Sequence, residues 1–172
     1  MSKKCKCIVS FLWDFPKEGI SYKDITPMLQ DPKAMDHAVN LFVERLKSQD
    51  IDIVVGIESR GFFFAALLAQ KLNAGFVPVR KKGKLPAETL EENYDLEYGI
   101  DVLEIHKDAI SKGQNVLVHD DVLATGGTAR AACNLVERLG GKVVQCNFLI
   151  ELSFLNGRNK IAGFPVESLI QY

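Results

Sequence analysis

The sequence is short of several things, and each shortage excludes a class of protein. No apolar run approaches the roughly 20 residues that a membrane-spanning helix needs. Net charge is only −1, with 21 Lys and Arg against 22 Asp and Glu, so neither nucleic acid nor a membrane surface is an expected partner. Cysteine is sparse, at 4 residues. Cys5-x-Cys7 has no second pair at zinc-ligand spacing, while Cys133 and Cys146 fall in apolar helix and strand patterns. That usage suits buried thiols in a reducing cytoplasm rather than a disulfide scaffold or a zinc module. Repeats, linkers and low-complexity segments are absent. The opening MSKKCKCIVSFLW is basic, but its apolar part is short and no small-residue cleavage site follows, so it makes a poor secretory signal.

What is present is an ordinary globular composition, 47% hydrophobic and 25% charged over 172 residues. That length suggests one domain spanning 1–172, with enough chain to bury about two-thirds of its unfolded surface.

The most informative stretch is Asn115 to Val136, NVLVHDDVLATGGTARAACNLV. Val116-Leu117-Val118 reads as a buried strand. Adjacent carboxylates follow, Asp120 and Asp121, and then a small-residue turn, Ala124-Thr125-Gly126-Gly127-Thr128. A helix pattern begins at once, with Ala131, Ala132, Leu135, Val136 and Leu139 on one face and Gly140-Gly141 closing it. A strand, a tight Gly-rich turn and a helix start make an anion site, because the first N–H groups of the helix are unbonded and its dipole adds positive potential. Two carboxylates beside a phosphate cradle would repel the phosphate. Ribose hydroxyls one sugar away, with or without Mg²⁺, supply a reason for them. The turn fits neither G-x-x-x-x-G-K-[ST] nor G-x-G-x-x-G, so it reads as a ribose 5-phosphate cradle rather than an NTP or dinucleotide loop.

Elsewhere the pattern is strand and helix in alternation. Residues 11–32 read as loop, broken by Pro16, Gly19, Pro27 and Pro32. Asp31 or Asp36 caps the next helix, whose face carries Ala38, Leu41, Phe42, Arg45 and Leu46. Ile51 to Ile57 reads as a central parallel strand that ends in Glu58-Ser59-Arg60-Gly61, with an apolar helix from Phe62 to Leu72 behind it. This is a second strand-turn-helix corner, and Arg60 at its tip can grip an oxyanion. Gly75 to Val79 reads as a third strand, followed by the cations Arg80, Lys81, Lys82 and Lys84 and a polar stretch from Pro86 to Tyr94. Taken alone the cationic run is a solvated loop. Leaving a strand end, it stands where α/β sheets place ligands, and the polar stretch reads as a long lid loop. Tyr94 to Ile105 carries a hairpin signal across Gly99, and Lys142 to Glu151 is another apolar strand. The order argues for a doubly wound α/β domain with a twisted, mainly parallel, five-stranded core sheet and a hairpin hood over its C-terminal edge.

HDDVLATGGTA resembles the phosphoribosyl-diphosphate (PRPP) signature of type I phosphoribosyltransferases, and ATGGT with its surroundings resembles the adenine phosphoribosyltransferases. The resemblance covers nearly all of the chain and is weakest in the first ten residues. It implies transfer of the 5-phosphoribosyl group of PRPP to adenine, giving AMP and pyrophosphate in purine salvage. It gives Asp120 and Asp121 to the ribose hydroxyls and Ala124, Thr125, Gly126, Gly127 and Thr128 to the 5-phosphate. Glu58, Ser59, Arg60 and Gly61 become the pyrophosphate loop, with Arg80 and Lys84 as further pyrophosphate contacts. Glu97, in Y-x-L-E-Y-G, becomes the general acid near N7 of adenine, and Tyr98 packs near the reacting centre. Ser21, Tyr22, Lys23 and Leu152 become base-binding residues, and segments 11–32 and 80–105 form the hood and lid. Lys23 stands where the family usually has arginine and Tyr22 where it has phenylalanine. Lysine lacks the planar fork, which bears on base selectivity. Mg²⁺ carried on PRPP, with Asp120 and Asp121 as candidate ligands, and a homodimer are also implied. Another base as acceptor, or a PRPP-sensing regulator on the same fold, stay open as alternatives.

Overall fold

The structure, a computed structural model, describes residues 9–13, 21–46, 49–95 and 100–172. Strands β1 (Ser10–Trp13) and β2 (Ser21–Asp24) form a small antiparallel pair. Helices α1 (Thr26–Leu29) and α2 (Pro32–Arg45) follow. Then come β3 (Ile53–Ile57), α3 (Gly61–Leu72), β4 (Gly75–Lys81), β5 (Thr89–Asp95) and β6 (Ile100–His106). The chain ends with β7 (Asn115–Leu123), α4 (Gly127–Arg138), β8 (Lys142–Glu151), two 3₁₀ turns and β9 (Val166–Gln171).

Seven strands make the main sheet, in the order β5-β6-β4-β3-β7-β8-β9. From β4 to β9 every pairing is parallel, so the expected five-stranded parallel core is present. The β5–β6 hairpin is antiparallel and joins the end of β4 through Arg80↔Glu104 and Lys81↔Leu103. That is the C-terminal end of β4, where the sequence reading puts the hood. No helix among the described residues is long and apolar enough to cross a membrane.

Both faces of the parallel strands are covered, as parallel sheets require. Side chains alternate across the sheet. Val55, Ile57, Val116 and Val118 face α4, where Ala131, Ala132, Leu135 and Val136 pack on them. Val54, Leu117 and Leu149 face α2 and α3 and meet Phe42, Phe64 and Leu68. Cys133 and Cys146 are free, buried thiols. His119 is also fully buried, with its ring edge-on to Phe42 at 5.2 Å, and burial pushes its pKa down to about 3. It is a neutral core residue.

Two sequence readings need correction. Residues 11–32 are not a continuous loop. They contain the rest of β1, β2, α1 and the start of α2. Pro27 and Pro32 sit in the first turns of α1 and α2, where a missing N–H costs nothing and the fixed φ suits a helix, so they start helices rather than break them. The stretch from Pro86 to Tyr94 is not a long lid loop, because from Thr89 it is β5. Its apparent polarity hides an alternation. Leu90 and Tyr94 belong to the core facing α4, and Glu92 between them accepts hydrogen bonds from Asn134 Nδ2 (2.7 Å) and Arg138 Nη1 (2.6 Å) of that helix.

The start of α2 is fixed by Asp31, whose Oδ1 accepts from the N–H groups of Lys33 (2.9 Å) and Ala34 (3.2 Å). Asp36 lies within the helix and accepts from the Asn40 amide at 2.9 Å. Asp31→Ala should therefore cost about 1 kcal/mol in urea unfolding, whereas Asp36→Ala should stay within about 0.5 kcal/mol of the parent.

Candidate functional site

The site follows from which strands are neighbours. Strands β3 and β7 are parallel and adjacent, with Gly56 level with His119. The chain leaves β3 through α3 toward β4, and leaves β7 through α4 toward β8. The two connections diverge to opposite faces. This is the topological switch point of a doubly wound sheet, where a crevice opens at the carboxyl ends of the strands. Both strand-turn-helix corners of the sequence border that crevice. Gly61 makes the meeting possible, since a Cβ there would come within 2.9 Å of Asp120 Oδ1 and 3.0 Å of the His119 carbonyl oxygen.

The crevice encloses about 380 Å³, lined by Tyr22, Lys23, Glu58, Ser59, Arg60, Lys81, Tyr94, Asp120, Asp121, Val122, Ala124, Thr128 and Leu152. A second concavity of about 50 Å³ adjoins it, walled by Ala124, Thr125, Gly126 and Thr128 at the start of α4. Gly126 has φ +83°, a conformation that only glycine adopts without strain, and Gly127 is the first helical residue.

Much of the charge at the crevice is paired within the protein. Asp121 is buried, and Arg60 Nε lies 2.8 Å from its Oδ2 as an ion pair. Asp120 Oδ1 accepts from the Asp121 N–H at 2.8 Å. Burial, and after it the charge of Asp121, pushes the Asp120 carboxyl well above the usual range. Burial raises Asp121 as well, against the pull of Arg60. Two such carboxylates can accept from vicinal hydroxyls or share a cation. The Arg60 guanidinium lies 5.2 Å from the Tyr22 ring centroid.

At the other rim Glu58 gathers the basic segment. Its carboxylate accepts from Arg80 Nε (3.3 Å), the Lys81 N–H (2.9 Å) and Lys84 Nζ. Burial would raise its pKa, but those hydrogen bonds outweigh it and hold the group below the ordinary carboxylate range. Buried Glu104 of β6 accepts from the N–H groups of Lys84 and Leu85, both at 2.8 Å, and so shapes the same turn. Tyr94 donates to Asp101 Oδ2 at 3.0 Å, and Lys81 Nζ pairs with that oxygen at 3.0 Å. Burial, then the Asp101 hydrogen bond, pushes the Tyr94 hydroxyl up to about 12.

The structure thus brings together Tyr22, Lys23, Glu58, Ser59, Arg60, Asp120, Asp121, Ala124, Thr128 and Leu152 around one crevice, with Thr125 and Gly126 in the adjoining hollow. Gly61 and Gly127 open the two helices beside it. Arg80 and Lys84 reach it through Glu58. Ser21 opens β2. Glu97 and Tyr98 lie outside the described residues.

A family model for the phosphoribosyl transferase domain matches residues 25–160. The adenine phosphoribosyltransferase of Christiangramia forsetii is 66% identical, over 97% of this chain and 98% of the relative. The chain belongs to the adenine phosphoribosyltransferase family. A crystal structure of the adenine phosphoribosyltransferase of Thermoanaerobacter pseudethanolicus superposes with a TM-score of 0.96 at 51% identity, covering 99% of each chain. The Saccharomyces cerevisiae adenine phosphoribosyltransferase, complexed with an imino-altritol bisphosphate and adenine, does so with a TM-score of 0.92 at 43% identity, covering 96% of each.

Sequence reasoning about this adenine phosphoribosyltransferase family member missed Lys81, Tyr94 and Val122 as lining residues. Tyr94 was signalled by its alternation with Leu90 and Glu92. Nothing local marks Lys81 over its basic neighbours. Gly61→Val should crowd Asp120 and the β7 backbone and cost about 1–3 kcal/mol, read as a lower urea midpoint at unchanged m.

Proposed function

We propose that this chain transfers the 5-phosphoribosyl group of PRPP to adenine, releasing AMP and pyrophosphate. The observation that carries the reading is the meeting at the β3–β7 switch point of the Asp120–Asp121 pair, the Gly126–Thr128 helix start and the Arg60 turn. Adenine N9 attacks the anomeric carbon as the bond to pyrophosphate breaks, and its electron pair leaves with the pyrophosphate oxygen. Positive charge grows on the sugar, where Asp120 and Asp121 hold the 2- and 3-hydroxyls and oppose that charge. The Ala124 to Thr128 turn binds the 5-phosphate, a handle remote from the chemistry that fixes the reacting carbon. Ser59 and Gly61 present the turn that faces the pyrophosphate, and Arg60, Arg80 and Lys84 balance its charge. Glu58 holds the last two in place. Tyr22, Lys23 and Leu152 border the base, with Ser21 on the same strand. Glu97 gives a hydrogen bond or a proton to N7 as N9 releases its own proton to solvent, which frees the N9 lone pair, and it takes the N7 proton back as the new carbon–nitrogen bond forms, with Tyr98 packed beside it.

Mg²⁺ is the proposed cofactor. Among the described residues no three His, Cys, Asp or Glu side chains gather to hold an ion, whereas Asp120 and Asp121 offer two carboxylates. That donor set suits a metal which completes its shell with substrate phosphate oxygens. When bound, it adds positive charge against the departing pyrophosphate. The reading extends to a cytoplasmic homodimer. Cys133 and Cys146, free thiols that share a hydrogen bond at 3.5 Å between their sulfurs, suit a reducing compartment. Exposed Phe63 and Phe76 offer apolar surface to a second copy, and sedimentation of the purified chain reads the state directly.

The reading is tested by supplying PRPP, Mg²⁺ and one base at a time. Adenine should give AMP far faster than hypoxanthine, guanine or orotate give their nucleotides. Hypoxanthine replaces the 6-amino donor by a carbonyl, which a pocket built around that donor rejects. Comparable turnover of hypoxanthine would move the chain to another base.

Glu97→Gln keeps size but cannot give up a carboxylic proton. It should lower kcat, and kcat/KM for adenine, by roughly 10²–10⁴, with little change in PRPP affinity. Glu91→Gln is the control, since the Glu91 carboxylate makes an exposed pair with Lys82 at 2.8 Å and its loss should be nearly silent. A Glu97→Gln enzyme within about threefold of the parent would remove the acid role.

A further inference from the structure

The closing segment contributes more than the Leu152 wall. Leu152 donates its N–H to the Leu123 carbonyl at 2.9 Å, and Leu123 is the last residue of β7 before the phosphate turn. Five residues on, Gly157 is buried against the back of that turn. A Cβ added to Gly157 would overlap the Ala124 carbonyl oxygen and come within 3.1 Å of the Gly126 nitrogen. A Cβ added to Gly126 would overlap the Gly157 carbonyl oxygen in return. The two glycines differ in kind. Gly126 needs its positive φ as well as the space, whereas Gly157 is glycine only because no side chain fits between the two loops.

The next residue anchors this contact. Arg158 donates through Nε and Nη2 to the two carboxylate oxygens of Glu151, both at 2.7 Å, and through Nη1 to the Val166 carbonyl at 3.1 Å. Glu151 is buried, and it accepts from Ser168 Oγ and, at 3.2 Å, from the Gln171 amide. It pairs in register with Leu123. The two-pronged ion pair therefore ties the Gly157 loop to the strand end beside the phosphate turn.

The turn needs outside support. Among the described residues neither Thr125 nor Gly126 donates a backbone–backbone hydrogen bond. A loop that keeps its N–H groups for an anion cannot use them to hold its own shape. We propose that Gly157, clamped by Arg158 and Glu151, is a positioning residue for the 5-phosphate turn, setting its shape from behind by direct backbone packing. The proposal rests on the phosphate reading of that turn given above.

Ribose 5-phosphate and pyrophosphate, titrated separately by calorimetry, test it, because the first uses the turn and the second does not. Gly157→Ala should weaken ribose 5-phosphate by about tenfold or more and leave pyrophosphate within about twofold. In turnover the KM for PRPP should rise while the KM for adenine holds. Arg158→Gln should weaken ribose 5-phosphate in the same selective way. Arg158→Lys, which keeps the charge but not the fork, should fall between it and the parent. The control is Gly141→Ala beyond the far end of α4, where a Cβ meets Ile110 Cγ2 at 2.8 Å and Val136 Cγ1 at 3.0 Å. It crowds side-chain methyls of the core away from the turn and should not change ribose 5-phosphate affinity. The proposal is overturned if Gly157→Ala binds ribose 5-phosphate like the parent, if both ligands weaken in parallel, or if Gly141→Ala weakens the sugar phosphate equally. Should Gly157→Ala not fold, the two Arg158 variants decide by the same criteria. An unsubstituted protein that fails to bind ribose 5-phosphate removes the phosphate reading itself and this proposal with it. That failure appears before any variant is made and is told apart for that reason.

Discussion

The parallel pairing of β3 with β7 is the constraint on which the rest depends. It sets two strand ends side by side and sends the following chain to opposite faces of the sheet. Two turns, each at the start of a helix, then share one crevice. The closeness of that sharing is set by Gly61, whose missing side chain lets the start of α3 lie against Asp120. A carboxylate pair carried by one strand is thereby met by the Arg60 cation carried by the other. Without that partner, Asp121 would be a buried carboxylate with no counter-charge, which proteins tolerate poorly.

A second consequence is that much of the charge at and around the crevice is already matched by the protein. Arg60 stands by Asp121, Arg80 and Lys84 by Glu58, and Lys81 by Asp101. Affinity for a polyanionic substrate is then a difference between new pairings and those given up. The cations are about a third or more exposed, so their internal pairs are screened and individually weak. The carboxylate of Glu58 is different, being buried and held ionised by its hydrogen bonds. It holds the basic turn through Arg80, the Lys81 N–H and Lys84.

What the sequence made legible were features written within about twenty consecutive residues. The strand-turn-helix corners at Glu58–Gly61 and at Asp120–Thr128 could each be read locally, because strand, turn glycine and helix periodicity adjoin. The five-stranded parallel core followed from their alternation. Less was legible where a residue's role is set by a distant partner. Strand β5 looked like a polar loop because Glu92 is polar, and only Asn134 and Arg138 on α4 make it an inward-facing position. Pro27 and Pro32 looked like breaks because their position within a helix turn depends on where the helix begins. Lys81 and Lys84 sit in one basic run, and which of them faces the crevice is decided by the twist of β4 and by Glu104.

The glycines at the Ala124–Thr128 turn and at the loop behind it carry the same point to its end. Gly126 announces itself, since a glycine after Ala-Thr and before a helix pattern implies a left-handed turn. Gly157 announces nothing, because its neighbours form short 3₁₀ turns that would tolerate a side chain on their own. Its requirement arises from the far side of the contact, where the Ala124 carbonyl and the Gly126 nitrogen already fill the space. Such a requirement is the expected counterpart of an anion cradle. The N–H groups that make the turn useful are those that a self-supporting turn would have bonded internally, so its rigidity has to be imported. Under the proposed reading it comes from the Gly157 loop about thirty residues away, held by the Arg158–Glu151 ion pair. A strand-turn-helix corner of this kind is therefore only half contained in its own residues, and the other half is the surface against which its backbone rests.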